Sequence, residues 1–180
     1  MRSMPTMQTE PEQTKQTKQT LYTTMDSPIG ELLLLGDGET LSGLYMQDGR
    51  KPKQIAPDWT ESAAPFADVR AQLVEYFAGE RTTFDVSLTP EGAPFEREVW
   101  RALEEIPYGE TVSYGEIARR VGQPTAARAV GTANGRNPIA VIVPCHRVIG
   151  ADGSLTGYGG GLERKRLLLE LERGQGRLQP

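Results

Sequence analysis

The only cysteine and the only histidine of this 180-residue chain are neighbours, Cys145 and His146. They stand in Pro144-Cys145-His146-Arg147-Val148-Ile149, directly after the apolar run Ile139-Ala140-Val141-Ile142-Val143. A lone cysteine in apolar surroundings is more often a small, inert core residue than a nucleophile. The adjacent histidine reverses that reading. Thiol chemistry needs the thiolate, and a free cysteine, with a pKa of about 8.5, needs a base or a positive charge to reach it at neutral pH. If the run is a buried strand, successive side chains point to opposite faces, so His146 acts on Cys145 through a bridging water or a local turn. A carboxylate orienting the imidazole would complete the arrangement. The helix expected from Leu162 to Glu172 offers Glu163, Glu170 and Glu172, and the residues alone do not choose among them.

Several thiol chemistries fail on spacing. A redox pair lacks its second cysteine, and a phosphatase loop of cysteine, five residues and arginine fails because Ala151 stands where the arginine is needed. A papain-like protease carries its histidine far along the chain, not next to the cysteine. One cysteine and one histidine make neither an internal disulfide nor a four-ligand zinc site, so no metal and no cofactor is expected.

The elements that must position these residues read as an α/β (α+β) fold in two units. Residues 1–20 carry a Thr/Gln/Lys repeat with no apolar period, a composition that cannot offset the entropy of ordering, and are expected to form a disordered extension. Leu21–Met25, Leu32–Leu35 and Leu41–Met46 read as three strands separated by Asp26-Ser27-Pro28-Ile29-Gly30 and Gly36-Asp37-Gly38. Phe66, Val69, Leu73, Val74 and Phe77 recur at helical spacing before the stop at Gly79, and Thr83–Leu88 reads as a further strand. Thr89-Pro90-Glu91-Gly92 marks a boundary, giving an N-terminal unit over 21–89 and a helical unit over 90–173, with a flexible tail over 174–180. In the second unit a helix spans Phe95–Glu105, and another spans Ser113–Val121 with Ser113 and Glu116 at capping-box spacing. Gly122-Gln123-Pro124 breaks it. Thr125 then caps a short helix over Ala126–Asn134 with small side chains on most faces, and the pair forms a helix-turn-helix pattern.

Composition narrows the partners. No apolar run approaches the roughly 18 residues of a spanning helix, no apolar segment marks a secretory signal, and a reducing cytoplasm suits a lone free thiol. The net charge of −4 argues mildly against nucleic acid. Its distribution matters more: from Ser113 to Gly150 five arginines, Arg119, Arg120, Arg128, Arg136 and Arg147, face one acidic residue, Glu116. Acidic residues crowd elsewhere, at Glu96, Glu98, Glu104 and Glu105, so an anion-binding face must be local.

The Pro144–Ile149 segment closely resembles the active-site signature of the O6-alkylguanine-DNA alkyltransferases, the methylated-DNA-protein-cysteine methyltransferases. The likeness runs from about Phe95 through Glu172. It takes in Tyr108-Gly109, Ser113-Tyr114-Gly115, Ala127-Arg128-Ala129-Val130-Gly131, Asn134, Asn137-Pro138 and Gly157-Tyr158-Gly159-Gly160-Gly161-Leu162. The N-terminal third matches only in general layout.

The resemblance implies a ribonuclease-H-like N-terminal domain packed on a helical domain whose helix-turn-helix, winged-helix-like in kind, enters duplex DNA from the minor groove. It implies that Gln123, Ala126, Ala127 and Gly131 bind DNA, and that the small side chains of Ala126, Ala127, Ala129 and Gly131 let the helix lie close to the DNA backbone, where bulkier ones would hold it off. Arg128 would fill the space left by a flipped nucleotide, and Tyr114 would press on the phosphate and protonate the departing base. Cys145 would take the alkyl group in a direct displacement, His146 would serve as base through water, Glu172 would hold the imidazole, and Asn137 would brace the turn. Backbone carbonyls near Cys145 and Val148 would read the base edge, and Tyr158 and Gly159 would line the pocket. The resemblance further implies one reaction per molecule, no obligate protein partner and a monomer. Two positions depart from the family pattern: Gly159 replaces a frequent serine, which removes a hydroxyl contact, and Ala140 replaces a proline found in some relatives. Three rival readings compete: a damage sensor without chemistry, which Cys145 opposes; a helix-turn-helix regulator, which leaves Pro144–Val148 unused; and a structural protein with an inert thiol.

Overall fold

The structure is a computed structural model that describes residues 18–49 and 52–174. The expected disordered extension over 1–20 lies outside the described residues except for Lys18–Thr20, and the expected tail over 174–180 lies outside them except for Gly174. Lys18 forms ion pairs with Asp37 at 3.2 Å and Glu39 at 2.7 Å.

The first half builds one sheet and one helix. β1 (Leu21–Met25), β2 (Leu32–Gly36) and β3 (Leu41–Met46) form an antiparallel meander, and β4 (Thr60–Glu61) adds in parallel to β1, giving the order β3-β2-β1-β4. Leu32, Leu33, Leu34 and Leu35 are all buried, so both faces of the central strand are covered, which explains an unbroken apolar run where a one-sided strand would alternate. Helix α1 (Ala67–Phe77) buries Val69, Leu73 and Phe77 as their apolar spacing requires, but Val74, expected on the same face, is exposed and Tyr76 is buried in its stead. It stops where Gly79 takes φ +75°, a conformation costly for any residue with a Cβ.

The strand expected at Thr83–Leu88 is not a strand. Only Leu88 bridges Leu41, and the peptide groups of Asp85 are held by the side chain of Gln72 at 2.9 and 3.0 Å. A helix side chain has taken the place of a ladder.

In the second half α2 (Pro94–Glu104), α3 (Tyr114–Arg120), α4 (Ala127–Gly135) and α5 (Leu162–Glu172) surround the chemistry-bearing segment. β5 (Val112–Ser113) pairs in parallel with β6 (Val148–Ile149). The Ser113 hydroxyl accepts from the Glu116 amide at 3.1 Å, but the Glu116 carboxylate binds Arg119 and Arg120 instead of reaching back, so only half of the capping box forms. Thr125 does not cap α4; the cap position is Ala126, without a side-chain hydrogen bond. The indole of Trp100 donates to the Ala133 carbonyl at 2.9 Å and locks α2 against α4.

The two halves meet along β3. The Leu44 amide donates to the Pro138 carbonyl at 2.8 Å, and the Ala140 amide returns a bond to the Leu44 carbonyl at 3.1 Å. The edge of the sheet thus grips the segment leading to Cys145.

Candidate active site

That segment is the largest departure from the sequence expectation. Ile139–Val143 makes one bridge, at Leu44, and then turns twice. The Ile142 amide donates to the Ala140 carbonyl at 2.8 Å around Val141, which has φ +69°. The Cys145 amide donates to the Val143 carbonyl at 2.8 Å around Pro144, at φ −83° and ψ 61°. These are successive three-residue turns, the first in the rare positive-φ form that a β-branched residue resists. Asn137 makes them possible. Its amide nitrogen donates to the carbonyls of Val143 at 2.9 Å and Ile139 at 3.3 Å, and its oxygen accepts from the Ile139 amide at 3.0 Å. One side chain supplies bonds that a neighbouring strand would otherwise provide.

Cys145 and His146 then sit in a single 3-10 turn, Cys145–Arg147, and both are buried. His146 Nε2 lies 2.7 Å from Oε1 of Glu172, which selects Glu172 from the three carboxylates of α5. Arg147 grips the same carboxylate, Nε to Oε2 and Nη2 to Oε1, each at 2.9 Å, and gives Nη1 to the Ile106 carbonyl at 2.6 Å. Burial alone would raise the Glu172 pKa. The hydrogen bonds and charges of His146 and Arg147 together outweigh it and hold the group at about 2. Burial pushes the His146 pKa below its ordinary value, against the pull of Glu172. A neutral imidazole beside a carboxylate must donate from Nε2, so Nδ1 carries the lone pair. Among the described residues no side chain or backbone group bonds that Nδ1.

Burial pushes the Cys145 thiol up, while the Asn137 side chain, the Lys165 charge and the amides of Cys145 and His146 pull it back. Lys165 is fully buried, with its ammonium donating to the carbonyls of Val148 at 2.6 Å and Thr156 at 2.8 Å. The sequence reading missed Lys165, although a signal existed. Lys165, Leu168, Leu169 and Glu172 fall at i, i+3, i+4 and i+7, one face of α5, and all four are buried. It also missed Tyr76, whose hydroxyl donates to Oε1 of Glu172 at 2.7 Å from 96 residues away, and the partnership of Arg147 with Glu172. No sequence pattern announces contacts of that range.

Cys145 borders a cavity of about 510 Å³, walled by Leu44, Tyr45 and Met46 of β3, by Asn134 to Asn137 with Ala140, and by Tyr158 to Gly160. The Tyr158 hydroxyl is buried without a hydrogen-bond partner among the described residues, and Gly159 is exposed at the rim. Val148 has no exposed side-chain surface, so only its backbone can address a ligand. Its carbonyl already accepts from Lys165, and the Cys145 carbonyl accepts both from Asn134 at 3.3 Å and from the Val148 amide that closes the turn.

Of the residues that the sequence selects on the helix-turn-helix, the structure brings Tyr114 and Gly131 together. Tyr114, half-buried, donates from its hydroxyl to the Thr156 carbonyl at 3.0 Å and lies over Gly131, where an added Cβ would meet the ring at an ordinary 3.8 Å. Gln123 and Arg128 are exposed, and Ala126, Ala127 and Gly131 are half-buried. Arg128 forms no ion pair among the described residues, whereas Arg119 and Arg120 share Glu116. No three His, Cys, Asp or Glu side chains cluster as a metal site, and no helix is long and apolar enough to cross a membrane, among the described residues.

The fold and site define a class: a buried, histidine-backed thiol presented at a pocket beside a helix-turn-helix. Comparison with known proteins narrows it. Residues 20–90 match the ribonuclease-like domain of 6-O-methylguanine DNA methyltransferase, and residues 94–174 match its DNA-binding domain. The methylated-DNA–protein-cysteine methyltransferase of Mycolicibacterium paratuberculosis is 60% identical over 153 residues, covering 84% of this chain and 92% of the relative. That of Methanosarcina acetivorans is 55% identical over 151 residues, covering 84% and 97%. Among solved structures, Mycobacterium tuberculosis OGT in complex with DNA superposes with a TM-score of 0.82 at 56% identity, covering 87% of this chain and 95% of that one. The chain belongs to the 6-O-methylguanine DNA methyltransferase family.

Proposed function

We propose that the chain repairs DNA by moving the alkyl group of O6-alkylguanine irreversibly onto Cys145, one group per molecule. The observation that carries this is a buried Glu172–His146 pair whose histidine shares one 3-10 turn with a thiol that borders a cavity. At rest the thiol holds its proton and the imidazole is neutral, so attack and proton transfer are coupled. The sulfur forms its bond to the alkyl carbon as the carbon–O6 bond breaks. The thiol proton passes through water to Nδ1 of His146, and Tyr114 supplies a proton to the departing guanine. Glu172 fixes the imidazole and stabilises the imidazolium. Asn137 braces the turn that presents the sulfur.

The damaged nucleotide is flipped into the pocket lined by Tyr158 and Gly159 and read by backbone carbonyls near Cys145 and Val148. Gln123, Ala126, Ala127, Arg128, Gly131 and Tyr114 form the DNA face, with Arg128 filling the vacated stack; the exposure of Arg128 without an ionic partner supports this. Residues 21–89 act as one structural unit and 90–173 as the catalytic one. The protein works as a monomer, without a protein partner, in the reducing cytoplasm, where its single thiol stays free.

The test is the intact mass of the protein after incubation with a duplex containing one O6-methylguanine, beside a Cys145→Ala control. A gain of one methyl, mapped to Cys145 and absent in the control, is expected. Tight binding to the lesion without a mass gain would make the chain a sensor. Competition with an O4-methylthymine duplex reports whether the pyrimidine lesion is also a substrate.

A further inference from the structure

The Glu172 carboxylate is shared by two halves of the molecule. His146 and Arg147 reach it from the catalytic half, while Tyr76 of α1 reaches Oε1 from the sheet-and-helix half at 2.7 Å. Tyr76 has no exposed surface, and its ring is fixed by Phe77 at 5.4 Å, Phe84 at 5.3 Å and Tyr108 at 6.2 Å between centroids. The hydroxyl therefore has one direction and one acceptor. Two donors, the Tyr76 hydroxyl and His146 Nε2, compete at equal distance for the same oxygen.

We propose that Tyr76 is a positioning residue for the alkyl transfer, its hydroxyl sharing Oε1 of Glu172 with His146 and so setting how strong a base the sole histidine is. The proposal rests on the reading of His146 as the base that accepts the Cys145 proton. A carboxylate oxygen that receives a hydrogen bond from a phenol carries less charge toward a second donor. The phenol thus weakens the pull of Glu172 on the imidazolium and helps to keep His146 neutral, with Nδ1 open, at physiological pH. The other charged groups acting on the imidazole are Arg147 of its own turn and Lys165 of α5, while Tyr108 and Tyr158 of the flanking loops act on Glu172. None of these shares Oε1 except Arg147, whose two bonds span both oxygens. On this reading the N-terminal half takes part in the chemistry through one phenol.

The presence of a single histidine makes the test direct. In uniformly 15N-labelled full-length protein, one pair of ring-nitrogen signals reports the tautomer and the titration of His146 without any DNA. Tyr76→Phe keeps the ring and removes the hydroxyl. Its His146 midpoint is expected to rise by about half a pH unit, a fraction of the roughly one to two units of a whole hydrogen bond to a charged group, because the phenol acts on the imidazole only through Glu172. The acid limb of the single-turnover methyl-transfer rate should move upward with it. A folded Tyr76→Phe protein with an unchanged midpoint and an unchanged limb overturns the proposal, because loss of packing alone would move neither. If the variant does not fold, 3-fluorotyrosine at position 76 replaces it; as a stronger donor it should lower the midpoint, and no movement overturns the proposal. Wild-type protein that takes up no methyl group would defeat the proposed reaction while leaving the imidazole titration readable, so the two readings fail separately.

Discussion

At the scale of residues the site turns on how Glu172 and His146 are ionised. The Glu172 side chain is almost entirely buried against Arg147 and His146. Its folded pKa of about 2 lies below the ordinary 4.5. A carboxylate with a depressed pKa contributes stability that is complete above its unfolded value and is lost as pH falls through the folded one. That contribution is about 3 kcal/mol. His146, buried neutral, behaves in the same sense at higher pH: its folded pKa is below 6.5, so stability begins to fall as the unfolded chain takes up a proton beneath that value. Glu172→Gln keeps the shape and removes the charge, leaving a buried guanidinium unpaired. We expect it to lower stability by about 3 kcal/mol at pH 7. The gap should close as pH falls from 4.5 toward 2. Urea titrations of both proteins across that range check this, and a gap that stays constant with pH would show that the ion pair does not stabilise the fold.

At the scale of elements, α4 is built for close approach, since Ala127, Ala129, Gly131 and Ala133 leave little side-chain bulk. Alanine at an interior helical position is favoured over glycine by about 1 kcal/mol. The space above Gly131 holds only the Tyr114 ring at ordinary contact distance. Gly131→Ala should therefore fold and melt at a higher temperature, yet bind lesion-free duplex more weakly in fluorescence anisotropy, because a methyl group is added to the face proposed to meet the DNA backbone. A higher melting point with unchanged binding would take α4 off the DNA. The same element shows what could be read from sequence and what could not. The period of α1, α2 and α5 and the Gly122 break between α3 and α4 were legible because a helix shows its buried face every three to four residues. Ile139–Val143 misled because an unbroken run of apolar residues shows no period, so a strand and a pair of tight turns look alike until the Asn137 side chain is seen bonding the backbone. Cys145 and His146 were legible as neighbours of unique type. The contacts of Tyr76 and Lys165 were not: spacing places Lys165 on the buried face of α5, but a polar group inside an apolar pattern does not reveal what it touches.

At the scale of the whole molecule, charge and packing divide the labour. Residues 21–89 hold eleven acidic and five basic side chains, while 90–173 hold eleven of each, so the acidic excess lies away from the helix-turn-helix and opposes DNA binding least. Packing, in contrast, joins the halves: β3 grips Pro138 and Ala140, and Tyr76 reaches Glu172. Alkylation of Cys145 acts on this shared seam. The cavity beside the sulfur has room for a methyl group, so gross overpacking is not the main effect. The loss lies in the sulfur itself: a thioether has no S–H to donate and cannot ionise, so it offers the Asn137 side chain and the neighbouring amides, which favour the thiolate, less than the free cysteine does. Weakening one such contact costs about 1 kcal/mol, which for a protein of this size lowers the melting midpoint by about 2–4 °C. Because Asn137 also holds Ile139 and Val143, the loosening should spread to the segment that β3 grips, with faster amide exchange at Leu44 and Ala140. Melting curves and hydrogen exchange before and after stoichiometric reaction with an O6-methylguanine duplex, with the DNA removed, measure both. A midpoint that is unchanged or raised would mean that the methylated site is as well packed as the free one, and that the spent protein carries no structural mark of its reaction.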